Sequence, residues 1–297
     1  SSNTSGVLSF SYGADGAGAL SWVTSGAPAG FAYVLSGSDL LVNQGAVTVM
    51  TLTLDALTGA YTVTQNAPIA HIAGLDENDQ AFTVGYQVTD SDGDPVNGSL
   101  SISVNDDTPV VMRNEVVQLD DDALAGGNPG GIDDVNPDTS NTSGTLSHSF
   151  GADGAGSVSW LTTGAPAGFA YVLSGSDLLV NQGAVTVMTL TLDALTGAYL
   201  VTQNAPIAHI EGLDENDQSF TVGYQVTDSD GDPVNGSLSI SVNDDTPTVS
   251  RNAIAQLDDD ALAGGNPGGI GDVNPDTSNT SGTLSHSFVA DGAGSIR

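Results

Sequence analysis

Phe82-Thr-Val-Gly-Tyr-Gln-Val88 places Phe, Val, Tyr and Val at every second residue, with Thr, Gly and Gln between them. Successive side chains of an extended strand point to opposite faces, so this run reads as a β-strand with one apolar face. The same pattern extends over Val47-Thr-Val-Met-Thr-Leu-Thr-Leu54, Tyr61-Thr-Val-Thr64 and Gly98-Ser-Leu-Ser-Ile-Ser-Val104. Between the strands stand turn words such as Ser36-Gly-Ser-Asp39, Leu57-Thr-Gly-Ala60 and Asn97-Gly98. No stretch carries a capped 3.6-residue period, although Asp121-Asp-Ala-Leu-Ala125 suits one helical turn.

The sequence then repeats. Ser-Asn-Thr-Ser-Gly begins at Ser2, Ser140 and Ser278, a period of 138 residues, and residues 2–139 differ from 140–277 at sixteen positions. A unit of this length encloses its own core, unlike the roughly 20–50-residue repeats of solenoids, so the chain reads as beads on a string. Short, evenly spaced strands with one apolar face predict an all-β fold of tandem immunoglobulin-like (cadherin-like) β-sandwiches in a linear array.

The clearest joint is Val104-Asn-Asp-Asp-Thr-Pro109, where an alternating strand stops, acids gather and Pro109 forbids a continued ladder; it recurs over 242–247. This phasing gives residues 1–106 as a repeat lacking its first strand, 107–245 as a complete repeat and 246–297 as the opening of a third. The fragment 246–277 is then expected to supply the missing strand to residues 1–106 of a neighbouring copy, head to tail.

Thirty-six Asp and Glu stand against three basic residues, Arg113, Arg251 and Arg297, with no lysine. Two like charges about 5 Å apart in water repel by roughly 0.8 kcal/mol, so clustered carboxylates need an external cation. The sign excludes nucleic acid and anionic membrane as partners. Cysteine is absent, which removes disulfides and thiolate metal sites. No apolar run reaches the roughly 18 residues of a membrane span, and Ser-Ser-Asn-Thr at the start carries no signal peptide.

Four acidic clusters recur in each unit. Asp90-Ser-Asp-Gly-Asp94 and Asp228-Ser-Asp-Gly-Asp232 set alternate carboxylates (Asp90, Asp92, Asp94; Asp228, Asp230, Asp232) around a glycine, a loop suited to a calcium ion that takes about 6–8 oxygens. The glycine falls too early for an EF-hand and Ser101, not Glu, stands twelfth, so a β-loop site is expected. Asn105, Asp106 and Asp107, with Asn243, Asp244 and Asp245, lie at the joint, where ions would lock bead to bead. Asp120, Asp121 and Asp122, with Asp258, Asp259 and Asp260, precede a Gly-Gly-Asn-Pro-Gly-Gly word that leads to Asp134 and Asp272. Three adjacent acids cannot all face one ion, so one or two should ligate and the rest be solvated. The fourth cluster, Asp76-Glu-Asn-Asp79 and 214–217, divides evenly between ligand and solvated loop.

The words Leu119-Asp-Asp-Asp-Ala-Leu-Ala-Gly-Gly-Asn-Pro-Gly-Gly131, Gly144-Thr-Leu-Ser-His-Ser-Phe-Gly-Ala-Asp-Gly-Ala-Gly156, Val88-Thr-Asp-Ser-Asp-Gly-Asp94 and Val104-Asn-Asp-Asp-Thr-Pro109 together resemble the tandem repeats of giant type I secreted repeats-in-toxin (RTX) adhesins of Gram-negative bacteria. The resemblance spans essentially the whole chain. It implies a non-enzymatic, extracellular extender region: beads stiffened by Ca2+, partnered by neighbouring repeats, that project ligand-binding domains for attachment and biofilm formation. The glycine-rich nonapeptides of such proteins are absent from these residues.

Two other functions compete. An enzyme needs a nucleophile and base in a pocket, yet His148 is replaced by Phe10 in the earlier copy, and His71 and His209 read as strand-end hydrogen-bonding residues. A Ca2+-dependent carbohydrate-binding module needs an exposed aromatic platform, whereas Trp22 and Trp160 alternate with Leu20 and Val158 and so face the core. Asn-x-Ser/Thr triplets occur at Asn3, Asn97, Asn141 and Asn235; Asn97 and Asn235 read as turn residues before glycine.

Overall fold

A computed structural model describes residues 3–72, 77–130, 133–210, 215–290 and 292–296. Asp76, Asp214 and Arg297 lie outside them. Among the described residues the chain is all-β, with two single 3-10 turns and no α-helix.

The first half holds β1 (Asn3–Val7), β2 (Ala17–Trp22), β3 (Phe31–Ser36), β4 (Asp39–Gln44), β5 (Val47–Leu54), β6 (Ala60–Gln65), β7 (Asp79–Asp90) and β8 (Pro95–Asn105). They form one sheet in the order β1-β6-β5-β4-β3 and another in the order β2-β7-β8. Phe82, Val84, Tyr86 and Val88 on β7 are all buried, as their alternation requires, and enter one core with Trp22, Leu40, Val42 and Leu52. The alternation of β5 breaks where Val49 and Met50 are both buried, and the β4–β5 register slips at the same place, from Met50 to Thr48: a β-bulge absorbs the extra apolar residue.

The second half repeats this design and adds to it. Between β9 (Val110–Val111) and β10 (Val117–Asp120) the chain runs along the second repeat, whose strands are β11 (Asn141–Thr145), β12 (His148–Ser149), β13 (Ala155–Trp160), β14 (Phe169–Ser174), β15 (Asp177–Gln182), β16 (Val185–Leu192), β17 (Ala198–Gln203), β18 (Asp217–Asp228) and β19 (Pro233–Asn243). The β11-β17-β16-β15-β14 sheet faces a four-stranded sheet, β10-β19-β18-β13, and β9 pairs with β12. Strand β10 lies parallel to β19, in the register Val117↔Ile240 to Asp120↔Asn243. Asn114 fixes the approach: its Nδ2 donates to the Tyr224 hydroxyl (3.0 Å) and Ser237 O (2.9 Å), and its Oδ1 accepts from Ser147 N (2.7 Å).

This added strand closes the core. Val117 and Leu119 are buried against Leu238, Ile240 and Val242, which are buried in turn, while their counterparts on β8, Leu100 and Ile102, are only half-buried. Among the described residues no strand lies beyond β8. In the last segment, β20 (Thr248–Val249) pairs with β21 (His286–Ser287) as β9 does with β12. Ala255–Asp258, the counterpart of β10, forms no strand, and Leu257 is 54 % exposed where Leu119 is 0 %.

Truncating a buried leucine costs about 2–5 kcal/mol, whereas exposed substitutions stay within about 0.5 kcal/mol. Leu119→Ala should therefore lower the urea midpoint of the second repeat, read from Trp160 fluorescence in a Trp22→Phe background, and Leu257→Ala should leave that midpoint unchanged in dilute monomer.

Candidate metal centres at the repeat poles

The parallel pairing of β10 carries Asp120 to the end of β19, and the chain then turns tightly. Asp121–Ala123 is a 3-10 turn capped by Asp120, whose Oδ1 accepts from Asp122 N (2.9 Å). Gly127 follows because a Cβ there would collide with the Asp122 backbone. These bends fold residues 128–130 and 133–138 back over the acidic turn: Asp122 Oδ2 accepts from Gly130 N (3.2 Å), Asp245 Oδ1 from Asn128 N (3.2 Å) and Asn243 Oδ1 from Val135 N (3.1 Å).

The result is a carboxylate cage. Oxygens of Asp120, Asp134 and Asp138 lie within 4.8 Å of one another, and Asp122, Glu215 and Asp245 adjoin them. Among the described residues, Asp120 Oδ2, Asp122 Oδ1, Asp134 Oδ1, Asp138 Oδ1 and Glu215 Oε2 are buried with no hydrogen-bond partner. Neither Arg113 nor Arg251 makes an ion pair among those residues. Burial, reinforced by Asp138, Asp134 and Glu215, pushes the Asp120 carboxyl up to about 7. Burial and the adjacent Asp245 push Asp122 up to about 8. A cage of hard, orphaned oxygens with no protein cation fits a calcium ion.

Sequence reasoning erred on the triplet here. Asp120, Asp121 and Asp122 are all buried, so none is the solvated member expected. They divide between two tasks instead, because a 3-10 turn sends neighbouring side chains in different directions. Asp121 turns away from the cage; its carboxylate accepts from Gln203 Nε2 and from Ile207 N (3.0 Å) and faces His209 Nε2 at 3.4 Å. In the last segment Asp258 and Asp260 are half-buried and Asp259 is exposed, with Asp272 and Asp276 near Asp260.

The opposite pole carries the Asp-Ser-Asp-Gly-Asp loop between β18 and β19. Asp228 Oδ1 accepts from Gly231 N (3.1 Å) and Asp232 N (2.7 Å), with Gly231 at φ 106°, a conformation that favours glycine. Carboxylate oxygens of Asp228, Asp230 and Asp232 lie within 4.8 Å of one another, and Asp228 Oδ2 and Asp230 Oδ1 have no hydrogen-bond partner among the described residues. Burial, together with Asp230, pushes Asp228 up to about 6. Gly156 sits at a bulge in β13 where a Cβ would collide with the Asp228 carbonyl, which lets the Asp153 loop lie against this one. In the first repeat Asp15, Asp90 and Asp92 form the matching group, with Asp94 exposed beside it.

One sequence thus has two environments. Asp90, Asp92 and Asp94 are half-buried to exposed, whereas Asp228 and Asp232 are buried, because the second loop meets the end of the first repeat. There Asp107 Oδ2 accepts from Ala152 N (2.7 Å) and Asp230 Oδ2 from His71 N (3.3 Å). The next junction repeats the first contact, with Asp245 Oδ2 accepting from Ala290 N (2.9 Å). Asp106 and Asp244 brace these turns: each accepts from the following backbone N–H (2.9 Å) and from Asn78 (3.0 Å) or Asn216 (3.1 Å). Asn105 is exposed and donates to Asp79.

Sequence reasoning missed Asp138, Asp15, Asp153 and the carboxylates that face the two junction histidines. Asp138 is a lone acid after Asn136-Pro137, without the clustering that flags a ligand. His71 bonds Val104 O at the end of β8, as a strand-end hydrogen-bonding residue should, and both His71 and His209 also face buried carboxylates. Trp22 and Trp160 belong to the two cores and offer no stacking platform.

Together these features define a tandem array of immunoglobulin-like β-sandwiches with acidic poles. The sequence matches the family described as Domain of unknown function (DUF5801) over residues 1–103 and 116–241, and the chain belongs to that family. No curated protein matches it. Among solved structures it is similar to the extracellular cadherin domains 1–5 of protocadherin gamma B2 (12 % identity, 79 % of this chain and 40 % of that one, TM-score 0.28). It is also similar to the EC3–6 cis-dimer structure of protocadherin gammaB7 (14 %, 88 % and 55 %, 0.26) and to the bradyzoite-specific antigen BSR4 of Toxoplasma gondii (14 %, 67 % and 66 %, 0.24). The chain spans about half the length of the protocadherin structures, and at these scores the fold assignment rests on strand order and cores alone.

In chelator, the folded protein keeps protons on Asp120 and Asp122 up to about pH 7–8, whereas the unfolded chain releases them near pH 4. The folded state binds more protons in that window, so its stability falls as pH rises through it. The melting temperature of the second repeat should therefore be higher at pH 5 than at pH 8 without metal. Calcium, which requires deprotonated ligands, should reverse that order, and Asp120→Asn with Asp122→Asn should flatten both profiles.

Proposed function

We infer that this chain is an extender: a non-catalytic, extracellular array of β-sandwich repeats whose poles and junctions bind Ca2+ and stiffen, so that it holds other domains away from a surface. The observation that carries this reading is the set of buried carboxylate oxygens at both poles of the second repeat that no hydrogen-bond donor satisfies among the described residues. Without a cation these groups repel, and burial holds protons on them. With calcium, Asp120, Asp122, Asp134, Asp138, Glu215 and Asp245 would share an ion at one pole, and Asp228, Asp230 and Asp232 another beside the junction.

Asp107 and Asp245 each grip a backbone N–H of the following repeat. Fixing their carboxylates therefore restrains the junction as well as the loop. Duplicated sandwiches with packed cores and buried tryptophans favour spacing over catalysis or sugar binding. The resemblance to RTX adhesin repeats supports type I secretion and a role in cell attachment and biofilm formation, with folding completed where calcium is plentiful. None of the helices among the described residues is long and apolar enough to cross a membrane.

The edge of β8, which has no further strand among the described residues, and the Ala255-Gln-Leu-Asp258 segment, which forms no strand, suit head-to-tail strand addition between copies, in the register that β10 makes with β19.

Small-angle scattering tests the stiffening directly. Chelation should broaden the distance distribution and shift the maximum dimension, and millimolar calcium should restore both. Asp107→Ala should loosen the junction in calcium while leaving each repeat's melting temperature nearly unchanged; equal loss of rigidity and melting temperature would place that carboxylate inside a repeat's fold instead.

A further inference from the structure

The junction between the first two repeats differs chemically from the cages on either side of it, because it contains an imidazole. His71 Nε2 lies 3.2 Å from Val104 O. A carbonyl oxygen only accepts, so Nε2 carries the hydrogen and the tautomer is fixed. The other nitrogen, Nδ1, stands 2.9 Å from Asp106 Oδ1, with the His71 side chain 2 % exposed. Nδ1 has no hydrogen-bond partner among the described residues. In the neutral ring it is a lone pair, and a lone pair facing a carboxylate oxygen at that distance needs a proton or a metal ion between them.

Two more carboxylates converge from the second repeat. Donor atoms of His71, Asp106, Asp153 and Asp230 all lie within 4.8 Å of one another. Asp153 Oδ2 and Asp230 Oδ1 are buried without a hydrogen-bond partner among the described residues. Asp106 is held by Asn78 Nδ2 and Asp107 N, and Asp230 by His71 N, so the carboxylates are oriented before any ion arrives.

We propose that His71, Asp106, Asp153 and Asp230 form a mixed nitrogen–oxygen site for a first-row dication of zinc type that clamps the first repeat to the second. Calcium takes oxygen ligands, whereas one imidazole with several carboxylates suits zinc or its neighbours, with bonds of about 2.0–2.2 Å. A histidine whose second nitrogen donates to a backbone carbonyl has the orientation that metal-bound histidines adopt. His209 stands 138 residues on, grouped with Asp121 and Asp244, so the imidazole belongs to the repeat's plan. The proposal deepens the ion-bridged reading of the junctions and depends on it only for the contact between repeats.

The test uses the full chain saturated with millimolar calcium and titrated with zinc by calorimetry, while the ring nitrogens of His71 are followed by long-range proton–nitrogen NMR. The expected result is zinc binding with a Kd of about 10 µM or tighter and a shift at Nδ1 alone. His71→Asn and Asp153→Asn, neither of them in an oxygen cage, should each weaken that binding by about tenfold or more, and His148→Asn, outside the cluster, should not. Zinc binding that ignores both substitutions, or absent zinc binding, overturns the proposal. So does a doubly protonated His71 at pH 7.5, which would mark a plain ion pair with Asp106. Should the variants fail to fold, the wild-type NMR result decides. Calcium uptake, measured in the same samples before zinc is added, reports on the oxygen cages separately, so either reading can fail alone.

Discussion

A buried carboxylate oxygen without a donor is the constraint on which this structure turns. The sandwiches close by ordinary means, with aliphatic and aromatic side chains alternating inward from two sheets. Their poles do not close that way. Asp120, Asp122, Asp134, Asp138 and Glu215 meet in a chain without lysine and, among the described residues, without a paired arginine. Desolvating several carboxylates together is so unfavourable that protons or metal ions must neutralise them. A choice between those two cations would make the poles responsive to their surroundings.

The added strand β10 links this electrostatic problem to the fold. Its Val117 and Leu119 complete the hydrophobic core beside β19, and its final residue, Asp120, begins the cage. Core closure and the carboxylate cage therefore share one short segment. An ion at Asp120 would also anchor the strand that seals Leu238 and Ile240. The first repeat, whose edge strand β8 has no such neighbour among the described residues, leaves its matching Leu100 and Ile102 half-covered.

Much of this was legible in the sequence. Period-two runs gave the strands, and the 138-residue repeat gave the tandem plan. The Asp-Ser-Asp-Gly-Asp loop announced itself through spacing and its glycine. What stayed hidden depended on long-range pairing. Asp120 meets Asn243 across more than a hundred residues, and no local pattern reveals a parallel addition of that kind. Asp138 and Asp153 are isolated acids whose importance comes only from what folds beside them. The triplet Asp120-Asp-Asp122 was misread because its solvation was inferred from adjacency, whereas a 3-10 turn buries all three side chains in different directions.

If cations complete the poles, their effect must be local before it is global. Amide hydrogen exchange, compared in millimolar calcium and in excess chelator, resolves the two. Calcium should slow exchange at residues 120–130, 134–138 and 243–246 by about a hundredfold or more, since bound ions stabilise the closed form by mass action. Core amides of β16 and β18 should change far less. Equal protection of the acidic segments in both solutions would contradict the account, because it would mean that the chain alone satisfies those carboxylates.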